Sequence, residues 1–234
     1  MVNRREVLAG FLLGGMEAGA EPQQPPSGSL YIPKPHQIED RKFLHDFMDD
    51  FPFVDLVTAG PAPRITHIPV LLNREGGAYG TIFGHISKNN AQTRSIDAKQ
   101  GAVIVFRGPH SYISPTWYPK ADSVPTWNFA VVHASGTLRP VTDMTVLHDK
   151  LASLIAHFEG GHSAYDFLKL PDSFKKGLMG GIVGFEMEIE LLEGKFKLGQ
   201  ERNAADRESL LRGLRAAKPE RSIVDVTESV YRRG

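Results

Sequence analysis

The chain has no cysteine among its 234 residues. Disulfides and thiolate metal sites are therefore excluded. An excess of one charge is also missing, because Lys+Arg and Asp+Glu both number 27. A nucleic-acid binder needs a basic excess or a basic face for its phosphate contacts, so the balance disfavours one. No apolar run after residue 20 approaches the roughly 20 residues of a membrane-spanning helix. The glycine fingerprints of dinucleotide sites and P-loops are absent, and so are H-E-x-x-H and G-x-S-x-G. A Rossmann site, a zincin and a hydrolase elbow fall away together. His67, His85, His110 and His133 lie on or beside strand-like runs without ligand spacing. No metal site is expected from them.

What is present begins with Arg4-Arg5, ahead of a short Gly-interrupted apolar run from Val7 to Gly15. Ala18-Gly19-Ala20 then offers the small-x-small pattern of a signal-peptidase site. Residues 1–20 read as a twin-arginine-type signal peptide, which places the mature protein in the periplasm or otherwise outside the cytoplasm. A Sec leader or an ordinary amphipathic helix is the alternative, and without a working leader the protein stays cytoplasmic. Residues 21–29, E-P-Q-Q-P-P-S-G-S, are a Pro/Gln linker. A domain is expected over residues 30–216, followed by a polar C-terminal tail over 217–234.

Helical periodicity marks 39–50, with Phe43, Leu44, Phe47 and Met48 on one stripe and Pro52 beyond its end. It recurs over 143–159, 171–178 and 204–216. Strand-like runs fall at 53–58, 65–72, 81–86 and 102–106, with a pair at 127–133 and 135–141 and a last run at 182–192. N-R-E-G-G-A over 73–78 is a hairpin signal, and 88–95 is a short helical connection. Many short strands without βαβ alternation predict a mainly β fold with flanking helices, an antiparallel barrel.

Two segments concentrate candidate chemistry. Between Arg107 and Pro125 the pattern predicts a long loop carrying Tyr112, Trp117, Tyr118 and four prolines, with Trp127 just beyond. Prolines hold such a loop rigid, and rigid aromatics suit a flat ring ligand, a subunit interface, or both. His110 and Tyr112 are the candidate acid–base residues there. Gly84-His85-Ile86-Ser87-Lys88-Asn89-Asn90 places a hydroxyl and an ammonium where a strand meets a helix. That junction suits a phosphate, or is simply a helix cap beside a solvated lysine.

On these residues the chain resembles the PaiB family of FMN-binding regulators, within the FMN-binding split barrels related to pyridoxamine phosphate oxidase. The resemblance rests on Tyr31-Ile32-Pro33, on T-H-I-P-V-L-L from Thr66, on G-H-I-S-K-N-N from Gly84 and on G-P-H-S-Y-I-S-P-T-W-Y from Gly108. V-P-T-W-N-F from Val124, V-H-A-S-G from Val132, G-K-F-K-L-G-Q-E-R from Gly194 and Asp206-Arg207 complete it. It implies a six-stranded antiparallel split β-barrel, a homodimer and FMN bound between subunits, with haem a distant alternative. Thr66 and His67 would then lie along the isoalloxazine and ribityl chain, with His85 beside them. Ser87 and Lys88 would hold the phosphate. Trp127 and Asn128 would flank the ring, and Lys197, Gln200 and Arg202 would reach in from a late strand. A small-molecule electron donor or acceptor would be the redox partner. The chain departs from the family at Ala91 and Thr93, where Pro and Trp are usual, and at Gly199 and Glu201 in K-L-G-Q-E-R. A DNA-bound repressor, the role in the family's name, would require a cytoplasmic protein.

Overall fold

A computed structural model describes residues 30–60, 62–119, 123–160, 163–217 and 221–232. The expected leader and linker, residues 1–29, lie outside the described residues. Residues 1–31 and 32–234 separate as two units, and the second carries every element below.

The first strand, β1 (Gln37–Ile38), precedes α1 (Arg41–Asp50). Asp40 caps α1 by accepting the Phe43 amide. Its apolar stripe buries Phe43, Leu44, Phe47 and Met48. Next come β2 (Phe53–Thr58), β3 (Arg64–Pro69), β4 (Leu71–Asn73) and β5 (Thr81–Ser87). The predicted run 65–72 is thus two strands. Pro69 has no N–H for a ladder, and the Val70 amide turns away to the Pro52 carbonyl at 3.0 Å. After α2 (Thr93–Asp97) the two longest strands follow, β6 (Gly101–Ile113) and β7 (Thr126–Val141). The rest is α3 (Met144–Glu159), α4 (Asp172–Gly180), β8 (Ile182–Glu188), β9 (Leu191–Lys197), α5 (Ala204–Ala217) and α6 (Arg221–Tyr231).

The strand order is β3-β2-β6-β7-β8-β5-β4, with β9 added to β7 and β1 to β9. Every pairing is antiparallel. The barrel expectation needs two corrections. Among the described residues there are nine strands rather than six, and their hydrogen-bonded ladder does not close. Its two ends, β3 and β4, are successive parts of one extended segment. The wall is completed there by the chain itself through Val70. Inside it, Val54, Leu56, Ile82, Ile104, Phe106, Val132, Phe185, Met187 and Phe196 form the core. α1, α5 and α6 add to this core, while α3 and α4 cover the other sheet face over Phe83 with Leu147, Leu151, Leu154, Phe167 and Met179.

Three further expectations are corrected. The pair predicted at 127–133 and 135–141 is a single strand. No break falls at Ala134, and close by, at Gly136, β7 changes partner. Phe129–Ser135 pair with β9, and Leu138–Val141 pair with β8. The first part of the predicted loop 107–125 is strand, because β6 continues to Ile113 past a bulge at Gly108-Pro109. The C-terminal segment 217–234, expected as a polar tail, contains α6, which buries Ile223, Thr227 and Val230.

Gly136 is required by contact rather than by turn geometry. A Cβ there would lie 2.2 Å from the Glu188 carbonyl oxygen. Gly136→Ala is expected to cost about 1–3 kcal/mol, the range for overpacking a tight core. A urea unfolding midpoint unchanged from wild type would show that β7 can part from β8 without loss.

Candidate flavin site

Strand parity sorts the candidate residues. In β2, β3, β6, β7 and β9 one parity faces the core and the other faces outward. Residues directly opposite on neighbouring strands form rungs on that outer face. One rung is Ile65–Val57–Val103–Ser135–Leu191, and the next is His67–Asp55–Val105–His133–Glu193. Pro69 and Phe53 continue toward Arg107, Val131 and Lys195. Beyond the bulge come His110–Phe129–Lys197 and Tyr112–Trp127. No residue of these rungs reaches full burial, and Phe53, Ile65, Tyr112 and Trp127 are between 47 and 66% exposed. The face mixes apolar and aromatic residues with charged ones of both signs.

At its centre the candidate His67 meets two charged residues, Asp55 and Arg107, that the sequence did not single out. The His67 Nδ1–H donates to Asp55 Oδ1 at 2.5 Å, and Arg107 Nε lies 2.9 Å from Asp55 Oδ2. The carboxylate is mostly covered, while the His67 side chain is 59% exposed. Whenever the imidazole is neutral, a carboxylate at Nδ1 selects the tautomer whose Nε2 carries the lone pair. Further along, Arg107, His110, Trp127, Phe129 and Val131 line a depression of about 320 Å³. The His110 and Tyr112 rings sit 5.4 and 6.3 Å from that of Trp127. Lys197 Nζ donates to Thr126 Oγ1 at 2.6 Å, and Lys195 Nζ lies 5.7 Å from the Phe129 ring. Burial, with the Lys197 charge added, holds the Lys195 pKa below its ordinary value.

Thr66 and His67, adjacent in sequence, point to opposite faces. Thr66 Oγ1 donates to Gln92 Oε1 at 2.5 Å and accepts from Asn90 Nδ2 at 2.9 Å. The buried Gln92 amide also donates to the Leu56 carbonyl and to Thr58 Oγ1. This network ties the segment after β5 to β2 and β3. It occupies the stretch where Pro and Trp are missing, and through Asn90 it ties the turn that follows Ser87 and Lys88 to β3. Both are exposed, and the Lys88 amide donates to the Gly181 carbonyl at 3.0 Å. Trp127 and Asn128 are likewise split. Trp127 faces outward, while Asn128 is 2% exposed with a buried Nδ2 that meets no partner among the described residues. His85 is half-buried, and its buried Nδ1 also lacks a partner.

The remaining candidates are engaged within the fold. Gln200 and Arg202 lie in the turn after β9 rather than on a strand. Gln200 donates to the Phe196 carbonyl and accepts the Leu198 amide. Arg202 stacks 3.9 Å from the Tyr118 ring centroid, and Glu201 pairs with His36 at 3.3 Å. The aromatic tip of the predicted ligand loop is held the same way. Trp117 packs flat on α5 at Gly213, its carbonyl accepts from Ser209 Oγ, and Tyr118 is buried. Trp117 and Tyr118 thus anchor α5 and leave the outer face to Tyr112 and Trp127.

Burial lowers the pKa of both His85 and His133, with the Lys195 charge adding to the effect at His133. Both are held neutral in the fold and protonate more readily in the unfolded chain. Their contribution to stability is full above the unfolded value of about 6.5 and is lost as pH falls through the lowered folded values. Urea midpoints are expected to fall between pH 7 and 5, and His133→Gln should flatten that slope. An unchanged slope would remove His133 from the linkage.

Comparison with known proteins agrees with this architecture. The model of a family described as "Putative FMN-binding domain" matches residues 30–191. The "Protease synthase and sporulation protein PAI 2" of Bacillus subtilis is 32% identical over 180 residues, covering 76% of this chain and 85% of the relative. Among solved structures, an FAD- and haem-binding protein from Mycobacterium smegmatis superposes with a TM-score of 0.55 at 17% identity, covering 74% of this chain and 79% of that one. The flavocytochrome Anf3 of Azotobacter vinelandii gives 0.52 at 13%, covering 74% of each. At those identities the likeness is one of fold. The matched family, the PAI 2 relative and the open sheet with its flanking helices make one assignment: the chain belongs to the PaiB family of FMN-binding split-barrel proteins.

Proposed function

We propose that the protein is an exported flavoprotein in which FMN lies on the outer sheet face between two copies of the chain, and that it is an oxidoreductase acting on a small molecule. The observation that carries this reading is that face, because its residues suit a flavin. Trp127, Tyr112 and Phe129 offer a flat apolar seat, and His110, Arg107 and Lys197 offer donors beside it. Apolar sheet surface of this extent marks an interaction site rather than a solvated face.

The need for two copies follows from distance. The group at the β3 edge, with His67, Ser87 and Lys88, is three strand spacings from the group at the hairpin tip, with Trp127 and Lys197. The spacings amount to about 14 Å across, and six residues along β7 add about 20 Å. One flavin nucleotide does not reach from one group to the other. Two faces packed about a two-fold axis bring the edge group of one protomer toward the tip group of its partner.

Bound FMN supplies the electron chemistry. The protein's part is to seat the ring on Trp127, hold the phosphate with Ser87 and Lys88, and exclude water. Asp55 keeps His67 oriented, with Nε2 available to take or give a proton at the ring edge. The Arg4-Arg5 leader supports export and sets this member apart from a DNA-bound repressor. Cell fractionation tests that part, and a cytoplasmic mature protein would overturn it.

The absorption spectrum of the purified protein tests the cofactor. Flavin bands that bleach with a reduced nicotinamide are expected. A colourless protein that takes up no FMN, or a haem Soret band, would remove the reading. Lys88→Ala is expected to raise the Kd for FMN about 10-fold or more, the cost of one charge-assisted hydrogen bond. Fluorescence titration measures it, and an unchanged Kd takes Lys88 out of the site. Ile65→Arg is expected to yield monomers by sedimentation and to lose FMN with them. Monomers that keep wild-type FMN affinity would refute the shared site.

A further inference from the structure

A second cleft lies between α3 and α4, formed by elements that contribute nothing to the outer face. Its volume is about 640 Å³. Met144 and Met179 supply apolar wall, while His148, Asp172, Lys175 and Lys176 supply polar groups. Lys175 is the unusual member. It is 8% exposed, a burial rare for lysine. Its ammonium has three N–H donors. One donates to the Leu168 carbonyl at 3.2 Å and another lies 3.1 Å from Asp172 Oδ1. The third has no acceptor among the described residues. An unused donor on a covered cation is costly, and an acceptor from outside the chain relieves that cost.

The charge of the cleft has a definite sign. The Asp172 pKa is lowered first by the Lys175 hydrogen bond and then by the Lys175 charge, with Lys176 and His148 adding to the effect. The Asp172 side chain is itself 84% exposed, so solvent screens much of its counter-charge. Lys175 and Lys176 thus leave an excess of positive charge beside an apolar wall.

We propose that this cleft binds an amphipathic carboxylate, an aliphatic acid whose head group takes the free Lys175 N–H and whose chain lies along Met144 and Met179. The two methionines suit such a tail, because an unbranched thioether side chain adapts to an irregular apolar partner. No covalent step is involved, and the site does not depend on the flavin reading.

The test uses the full chain, purified with whatever cofactor it carries and labelled with ¹³C at the methionine methyls. Decanoate and decan-1-ol are titrated separately and followed by NMR. Decanoate is expected to shift the Met144 and Met179 signals saturably while the core residues Met48 and Met187 stay in place. Decan-1-ol, with the same tail and no charge, is expected to bind about 10-fold more weakly or worse, the loss of one charge-assisted hydrogen bond. Lys175→Gln should bring decanoate down to the level of the alcohol, and Lys176→Gln should change it far less. Equal binding of the two ligands to the wild-type chain overturns the proposal, and so does a lack of saturation. Shifts spread over all four methionines, or full decanoate binding by Lys175→Gln, do the same. If Lys175→Gln does not fold, the wild-type ratio of the two ligands decides.

Discussion

One strand does the work of two. β7 pairs with β6 along nearly its whole length and serves β9 and then β8 on its other side. The handover at Gly136 permits no side chain, because the Glu188 backbone crosses there. Once this strand is fixed, its alternation decides the fate of every residue along it. Asn128, Ala130, Val132 and Ala134 go to the core, while Trp127, Phe129, Val131 and His133 go to the open face. β6 repeats the rule until its bulge at Gly108-Pro109. There the one extra residue re-aims the hairpin tip and brings His110 and Tyr112 to the same side as Trp127.

The open face is not uniform. At one end Ile65, Val57, Val103 and Leu191 make an apolar stripe, and in the middle Asp55 joins His67 to Arg107. At the other end aromatic rings meet lysines. An ion pair so placed gains strength when a partner or ligand displaces water over it, because the same charges then act in a lower dielectric. The apolar stripe and the rings supply area, and the charged centre supplies register. That division, between what binds and what orients, is usual at interfaces between proteins.

The sequence was informative where pattern and structure share a period. The stripe of Phe43, Leu44, Phe47 and Met48 gave α1, and the same reasoning gave α3. The β-hairpin at 73–78 followed from its turn residues. It was misleading where a local signal served a distant purpose. The pair expected on either side of Ala134 is one strand, and the nearby Gly136 answers to a backbone more than fifty residues later. The prolines of 109–125 suggested a loop, although Pro109 sits in a bulge inside a strand. α6 is legible in the sequence, since Ile223, Val226, Thr227 and Val230 follow helical spacing between arginines. Asp55 and Arg107 were out of reach. Nothing near either residue indicates that they meet across two strands, and only the register shows it. Asn128 and Thr66 were tied to their neighbours by adjacency, and alternation separated them.

The join at Pro69-Val70 has a mechanical meaning. A wall completed by covalent chain, with Val70 tied across by a single bond to Pro52, has a crease that can flex by rotation about a few dihedrals. His67 stands on one margin of that crease, and Ser87 and Lys88 stand close by. A displacement there is taken up by those dihedrals, whereas parting β6 from β7 means breaking a ladder of many rungs. The molecule thereby separates the part that yields from the part that measures.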